Sequence, residues 1–344
     1  MNIKTATNDC NGLGDLMLGC GTFAQQYNSD PDSLPIADIL RECQANGVHA
    51  LDTSPYYGLS EVLVGRALSE TAWSDRSKWT LCTKVGRIAP DKFDYSPEWV
   101  RQSVMRSLER LISPSFPGAK PGDAQYFLDV VYVHDVEFQT LEQALGALRE
   151  LRKLQREGLV RRVGISGYPL AYLHEVALAA ANSADIGPLD CILSYCNLNL
   201  QNTRLLGWEE RFRGECGIPI VSNASVLSMS LLRAQETVSW HPASAALKKC
   251  ARDAAEYCAS KHMDLAGLAV KYAMTQWLDH GVTVVGVSSV WELREALDAW
   301  REVRDRGRLS QEEAEVAGHV REAVFASRLD QTWASGNIPG SEQL

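Results

Sequence analysis

The sequence predicts an α/β chain folded as a (β/α)8 TIM barrel. Eight short apolar runs alternate along the 344 residues with longer segments of helical period. That order is the one expected of parallel βαβ units closed into a ring. A doubly wound sheet is the competing architecture, and it calls for a G-x-G-x-x-G turn after the first strand. The stretch "LGCGTFAQQ" supplies G-x-G without the third glycine, so the barrel is preferred.

Taken in order, the candidate strands are "LMLGC" (16–20), "HALDT" (49–53), "WTLCTKV" (79–85) and "FLDVVYVH" (127–134). "RRVGIS" (161–166), "LDCILSY" (189–195), "IPIVSNA" (218–224) and "VTVVGVS" (282–288) complete the set. Each is short and apolar, as a strand buried on both faces should be. The intervening stretches include "SPEWVRQSVMRSLERLI" (96–112) and "TLEQALGALRELRKLQREG" (140–158). In the second, Leu141, Ala144, Leu145, Leu148, Leu151 and Leu154 form a stripe of 3.6-residue period, and Gly158 ends it. Strand-free stretches at 23–33, 86–95, 113–126 and 225–248 exceed ordinary loops, which makes them candidate substrate and cofactor loops. The Pro- and Gly-rich piece at 112–125 reads instead as a surface excursion. A single barrel domain over residues 1–344 accounts for the whole pattern.

Composition narrows the partners. A formal charge of −9 and a pI near 5.4 argue against nucleic acid or an anionic membrane. No apolar run is long enough to span a bilayer, and "MNIKTATNDCNGLGD" has no hydrophobic signal core. The nine cysteines include no CxxC pair and no Cys/His cluster of zinc spacing, so no metal is expected. Cys20, Cys82, Cys191 and Cys196 stand singly in apolar surroundings and read as buried, reduced thiols of a cytoplasmic protein.

Chemistry concentrates where barrel enzymes keep it, at the C-terminal ends of strands. Asp52 and Tyr57 follow the second strand, Lys84 ends the third and His134 ends the fourth. Singly, each has an ordinary explanation: a turn cap, a core aromatic, a rim charge, a satisfied imidazole. Together they make an acid–base unit. A free tyrosine titrates near pH 10, and a nearby ammonium stabilises its phenolate. Lys84 would be that ammonium, Asp52 its anchor, and His134 a donor that orients a substrate oxygen. Spacing alone leaves Tyr56 and Tyr57 both open as the proton carrier.

The segments "LDTSPYYGLSE", "TKVGR", "FDYSPEWVRQSV", "YVHDVEF", "VGISGYP" and "SYCNLNLQNTRLL" occur in order along the chain. With them the sequence resembles the aldo-keto reductase superfamily over nearly its whole length. The likeness is greatest to the branch of L-galactose and D-arabinose 1-dehydrogenases. The resemblance implies a barrel with a nicotinamide cofactor at its mouth and a catalytic tetrad of Asp52, Tyr57, Lys84 and His134. It places Ser166 and Asn197 near the carboxamide. Phe23, Tyr56, Trp240 and His241 become candidate substrate contacts.

Two departures concern the cofactor. Members of the family typically read Ser-Pro-Leu-Gly-Met-Gly-Leu-Leu after the seventh strand, where this chain has "SVLSMSLL" (225–232). Val226 replaces the proline, and Ser228 and Ser230 replace glycines that permit φ > 0. Ser225, Leu227, Ser228 and Ser230 are the expected pyrophosphate contacts. In "VGVSSVWELREAL" (285–297), Gly286, Ser288, Glu292 and Glu295 are the expected contacts of the adenosine half. Glu292 falls near the family's arginine, and a carboxylate there repels a 2′-phosphate, so NAD is expected over NADP. The leading reading is an aldose 1-dehydrogenase acting on a small-molecule substrate. The alternatives are a carbonyl reductase or a non-redox acid–base enzyme of specialised metabolism. A non-catalytic barrel subunit is disfavoured by the complete tetrad.

Overall fold

In the computed structural model, residues 13–71 and 75–337 are described. Residues 1–12, most of the N-terminal stretch discussed above, lie outside them. Eight strands form a closed parallel barrel, neighbours around the ring being β1 (Leu16–Gly19), β10 (Val282–Gly286), β9 (Ile220–Ala224), β8 (Cys191–Tyr195), β7 (Val160–Gly167), β6 (Leu128–Val133), β3 (Thr80–Val85) and β2 (Ala50–Asp52). The first part of the chain supplies β1 (Leu16–Gly19), α1 (Ile36–Ala45), β2 (Ala50–Asp52), α2 (Ser60–Glu70) and β3 (Thr80–Val85). A small antiparallel hairpin follows, β4 (Arg87–Ala89) with β5 (Lys92–Phe93), and then α3 (Pro97–Leu111). Next come β6 (Leu128–Val133), α4 (Leu141–Arg156), β7 (Val160–Gly167), α5 (Leu170–Ala181), β8 (Cys191–Tyr195) and α6 (Glu209–Gly214). The last part supplies β9 (Ile220–Ala224), α7 (Ala245–Ser260), α8 (Leu265–Trp277), β10 (Val282–Gly286), α9 (Val290–Arg306) and α10 (Gln311–His319).

All eight expected barrel strands form, each within two residues of its sequence-based bounds. The stretch 86–95 is not strand-free, because it carries the β4–β5 hairpin. Two residues make that hairpin possible. Gly86 sits at φ +100, and a Cβ there would fall 2.3 Å from the Tyr95 ring. The long seventh loop stops at 244, where Ser244 caps α7 by accepting from Leu247 N–H. Thr140 and Gln143 form a capping box that opens α4, matching the stripe read from 140–158.

Strand periodicity of two divides the core. Ala50, Cys82, Val130, Tyr132, Cys191, Leu193 and Val284 fill the barrel interior. Leu51, Leu81, Val131, Val133 and Ile192 face outward and pack beneath the helices. The alternation decides where the next residues point. Asp52, Lys84 and His134 each stand two positions beyond an interior residue, so all three project above the barrel axis. Cys20, Cys82, Cys191 and Cys196 are buried free thiols, as the sequence suggested. Among the described residues no helix is long and apolar enough to cross a membrane.

Candidate active site

Register brings the polar strand ends together. Asp52 pairs with Cys82 across β2 and β3, and Lys84 pairs with Tyr132 across β3 and β6. Lys84 Nζ therefore reaches both oxygens of Asp52, at 2.9 and 2.7 Å, and the Thr53 carbonyl at 3.0 Å. Both side chains are buried, Lys84 to 1% exposure. A buried ammonium persists only with such a partner set. Burial alone would lower the Lys84 pKa, but the Asp52 carboxylate overcomes it and raises the pKa, so Lys84 stays charged.

Tyr57 stands against this pair, its ring centroid 4.8 Å from Lys84 Nζ. Its ring meets His134 edge-on at 5.8 Å. Burial pushes the Tyr57 hydroxyl up to about 12, Lys84 pulls it down, and Asp52 adds to the rise. The sequence-based expectation of a depressed phenol is thus corrected: Lys84 acts in the expected direction, and burial outweighs it. Burial, Lys84 and Arg87 together hold the His134 pKa well below the ordinary imidazole value. His134 is a neutral ring. Its Nδ1 lies 3.2 Å from Ser54 Oγ, and its Nε2 lies 3.5 Å from Asp135 Oδ2.

A cavity of about 750 Å³ opens above these groups and runs from the hairpin side to α9. Of the residues singled out from sequence, Asp52, Tyr56, Tyr57, Lys84, His134 and Ser166 line it. So do Ser225, Leu227, Ser230, Trp240, Gly286, Ser288, Glu292 and Glu295. Four others do not. Phe23 is fully buried in the packing layer under the helices. Asn197 spends its amide on Tyr168 O, Ser194 Oγ and Tyr195 O at 2.6, 2.9 and 3.1 Å. His241 Nδ1 accepts from Ala243 N–H, so its Nε2–H donates to Ser228 O at 2.9 Å, bracing the loop from behind. Ser228 is buried, and its hydroxyl meets only the weak sulfur of Cys196.

The loop after β9 keeps the backbone that glycines would favour. Ser225, Ser228, Met229 and Ser230 all have positive φ, at 60, 49, 49 and 78°. Each left-handed non-glycine residue costs about 1 kcal/mol or more. Hydrogen bonds help hold it there: Ser225 Oγ accepts from Met229 N–H at 3.0 Å, and Ser225 O from Ser228 N–H at 2.7 Å. Glu292 sits in the first turn of α9, where its Oε2 accepts from Ser288 N–H at 2.6 Å. One carboxylate oxygen is therefore occupied by the cap and the other is left for a ligand.

The residues present fit a nicotinamide dinucleotide. Ser166, two positions beyond the interior Gly164, lines the cavity with a buried hydroxyl that has no hydrogen-bond partner. Such a group is costly unless something completes it, and a carboxamide does. From Ser166 the cavity continues past Leu227 and Ser230 to Ser288, Glu292 and Glu295, a run suited to a long ligand. Among the described residues no group of three or more His, Cys, Asp or Glu could hold a metal ion.

Sequence reasoning missed part of the lining. Arg87 and Asp135 pair with each other at the cavity wall, and Tyr195, Trp291 and the C-terminal Trp333–Gly336 also face it. Arg87 and Asp135 stand two positions past the ends of β3 and β6, inside "TKVGR" and "YVHDVEF", so the strand-end rule could have found them. Trp333 had no such signal, since contacts distant in sequence place it: it stacks on Tyr168 at 4.8 Å and meets His241 edge-on at 5.1 Å.

The closed parallel barrel, with its buried Lys84–Asp52 pair and tyrosines at the mouth of an elongated cavity, defines a barrel enzyme class. A model of the aldo/keto reductase family matches residues 15–313. The chain belongs to that family, and it is an oxidoreductase that works with a nicotinamide cofactor. D-arabinose 1-dehydrogenase of Saccharomyces cerevisiae is 43% identical over 347 residues, covering 100% of both chains. L-galactose dehydrogenase of Arabidopsis thaliana is 33% identical over 300 residues, 86% of each. Among solved structures, an aldo-keto reductase from Bacillus halodurans superposes with a TM-score of 0.62 at 21% identity. That alignment covers 90% of this chain and 93% of the other, and it shows the shared fold.

Proposed function

We propose that this chain oxidises an aldose at its anomeric carbon to the lactone, with Tyr57 as the proton carrier. The observation that carries the reading is the buried Lys84–Asp52 pair set against the Tyr57 ring at the cavity floor. Tyr57 takes the proton of the anomeric hydroxyl as C1 loses its hydride. Lys84 stabilises the phenolate that receives it, and Asp52 fixes Lys84. His134, neutral and donating from Nε2, holds the same oxygen. The nicotinamide, when bound, supplies the hydride acceptor. Likeness to an arabinose dehydrogenase over the full length, and to a galactose dehydrogenase over 86% of it, supports a sugar as substrate.

NAD is the proposed cofactor. Glu292 lines the adenosine end with one carboxylate oxygen uncommitted, which suits a ribose hydroxyl and repels a 2′-phosphate.

One observation also favours the reverse direction. With its hydroxyl raised to about 12, Tyr57 is a phenol at neutral pH, the form that protonates a carbonyl oxygen during reduction. Carbonyl reduction is therefore the second reading of the same site.

The test is turnover of D-arabinose and L-galactose with NAD, followed by formation of the reduced nicotinamide. Tyr57→Phe removes only the ionisable hydroxyl. It should cut turnover by about 10²–10⁴-fold and leave cofactor affinity within a few-fold. Near-normal turnover in that variant would transfer the role to Tyr56. Cofactor binding with no aldose oxidised would defeat the sugar reading.

A further inference from the structure

The charged pair beside His134 is used by none of the chemistry above. Asp135 is buried yet lines the cavity. It holds a left-handed backbone at φ 54, which for a residue other than glycine needs support. The support is Arg87, whose Nη1 donates to Asp135 Oδ2 and whose Nη2 donates to Pro90 O at 3.1 Å. The guanidinium is also fixed by aromatic rings, lying 4.2 Å from the centroid of Tyr56, 5.2 Å from Phe93 and 5.1 Å from Phe138. A carboxylate so braced at a cavity wall is aimed, and what it is aimed beside is His134. Its Oδ2 stands 3.5 Å from His134 Nε2.

Resting on the aldose reading, we propose that Asp135 is a specificity-determining residue that accepts a hydrogen bond from the C2 hydroxyl of the sugar. The geometry follows from the place of the reacting oxygen. His134 Nε2 holds O1, so atoms one bond further along the sugar fall next to that nitrogen, where Asp135 lies. The anomeric carbon has two such neighbours, the ring oxygen and C2 with its hydroxyl. A carboxylate only accepts, and the ring oxygen cannot donate. Asp135 therefore draws the hydroxyl-bearing C2 side toward itself and turns the ring oxygen away. Arg87 keeps the carboxylate in place and offsets its burial. One contact thereby selects 2-hydroxyaldehydes in their cyclic form over deoxy sugars and simple aldehydes, and fixes which face of C1 meets the hydride acceptor.

The experiment compares D-arabinose with 2-deoxy-D-ribose, aldopentoses that differ only by the C2 hydroxyl, in wild type and in Asp135→Asn. Asparagine tolerates the left-handed backbone, so the variant keeps the fold. Wild type should favour D-arabinose in kcat/KM by about tenfold to a hundredfold, the range of a hydrogen bond to a charged acceptor. Asp135→Asn should lose most of that preference: kcat/KM for D-arabinose should fall about tenfold further than kcat/KM for 2-deoxy-D-ribose. Equal use of both sugars by wild type, or an equal fall for both in the variant, overturns the assignment and leaves the aldose reading standing. If wild type oxidises neither sugar, the aldose reading fails and this assignment falls with it.

Discussion

At the ends of β2, β3 and β6 the polar side chains satisfy one another. Lys84 has three oxygen partners, Asp52 is bonded through both oxygens, and His134 is bonded to Ser54 through Nδ1. Across the cavity, at the end of β7 and after β9, the opposite holds. Ser166 has a buried hydroxyl without a partner, and four residues between 225 and 230 sit at positive φ. The difference follows from what each side must do. Proton transfer needs charges fixed before the substrate arrives, and rigid strands provide that. Holding a long ligand needs bonds left to be made, and a loop with unmet donors provides those. On the proton side the bonds are already made, and on the ligand side they are left for a ligand to make.

The largest expected effect breaks the proton side. Lys84→Met removes the charge that pulls the Tyr57 hydroxyl down, so burial should raise its pKa further. Oxidation uses the phenolate, whose fraction grows tenfold per pH unit below the pKa. Oxidation by wild type should therefore climb with pH through the alkaline range, and the variant should lose about 10²–10⁴-fold with its alkaline limb moved upward. Reduction uses the phenol and should stay flat until the pH nears that pKa. Loss of the ammonium also leaves Asp52 buried alone, which costs on the order of 3–5 kcal/mol. A pH–rate profile in both directions, with a melting curve, checks this. An unchanged profile at full activity would reduce Lys84 to a structural charge.

A smaller effect sharpens the ligand side. Glu292→Arg exchanges a carboxylate for a guanidinium at the adenosine end of the cavity. Facing a 2′-phosphate at a partly exposed position, the charge is worth on the order of 1–2 kcal/mol, roughly tenfold in affinity. Wild type should bind NAD more tightly than NADP, and the variant should narrow or reverse the preference. The change also removes the cap on Ser288 N–H, so a slight loss for both cofactors should accompany it. Dissociation constants for both cofactors decide the matter. A wild-type preference for NADP would refute the ribose role.

The same contrast explains what could be read from sequence. Strand-end positions were legible because two local rules, apolar runs and a period of two, fix both the place and the direction of Asp52, Lys84 and His134; Ser166 was read by likeness, and the same two rules account for its direction. Loop positions were legible only by likeness, and likeness gives place without direction. Ser228 and Asn197 match cofactor positions, yet both turn into the protein. Phe23 packs under the helices for the same reason. The Tyr57 pKa was misjudged because pair attraction can be guessed from residue types, while burial depends on the whole packed barrel. Trp333 was unreadable since its stacking partner Tyr168 lies far away in sequence.

The smallest expected effect separates two serines that sequence treats alike. Both stand where the family resemblance leads one to expect glycine, and both have positive φ, 49° for Ser228 and 78° for Ser230. Only Ser230 lines the cavity; Ser228 is buried behind it with its hydroxyl against Cys196. Ser228→Gly relieves about 1–2 kcal/mol of left-handed strain and a poorly satisfied hydroxyl, against about 0.5–1 kcal/mol of extra unfolded-chain entropy. It should therefore stabilise the protein by about 1 kcal/mol, a rise of a few degrees in melting temperature, without changing cofactor affinity. Ser230→Gly should gain less stability but tighten NAD and NADP alike by a few-fold, because it removes a side chain from the cavity wall. Melting curves and cofactor titrations on the two single variants test the division. Equal effects of both serines on affinity would show that the loop acts as one flexible unit rather than as a buried brace with one exposed face.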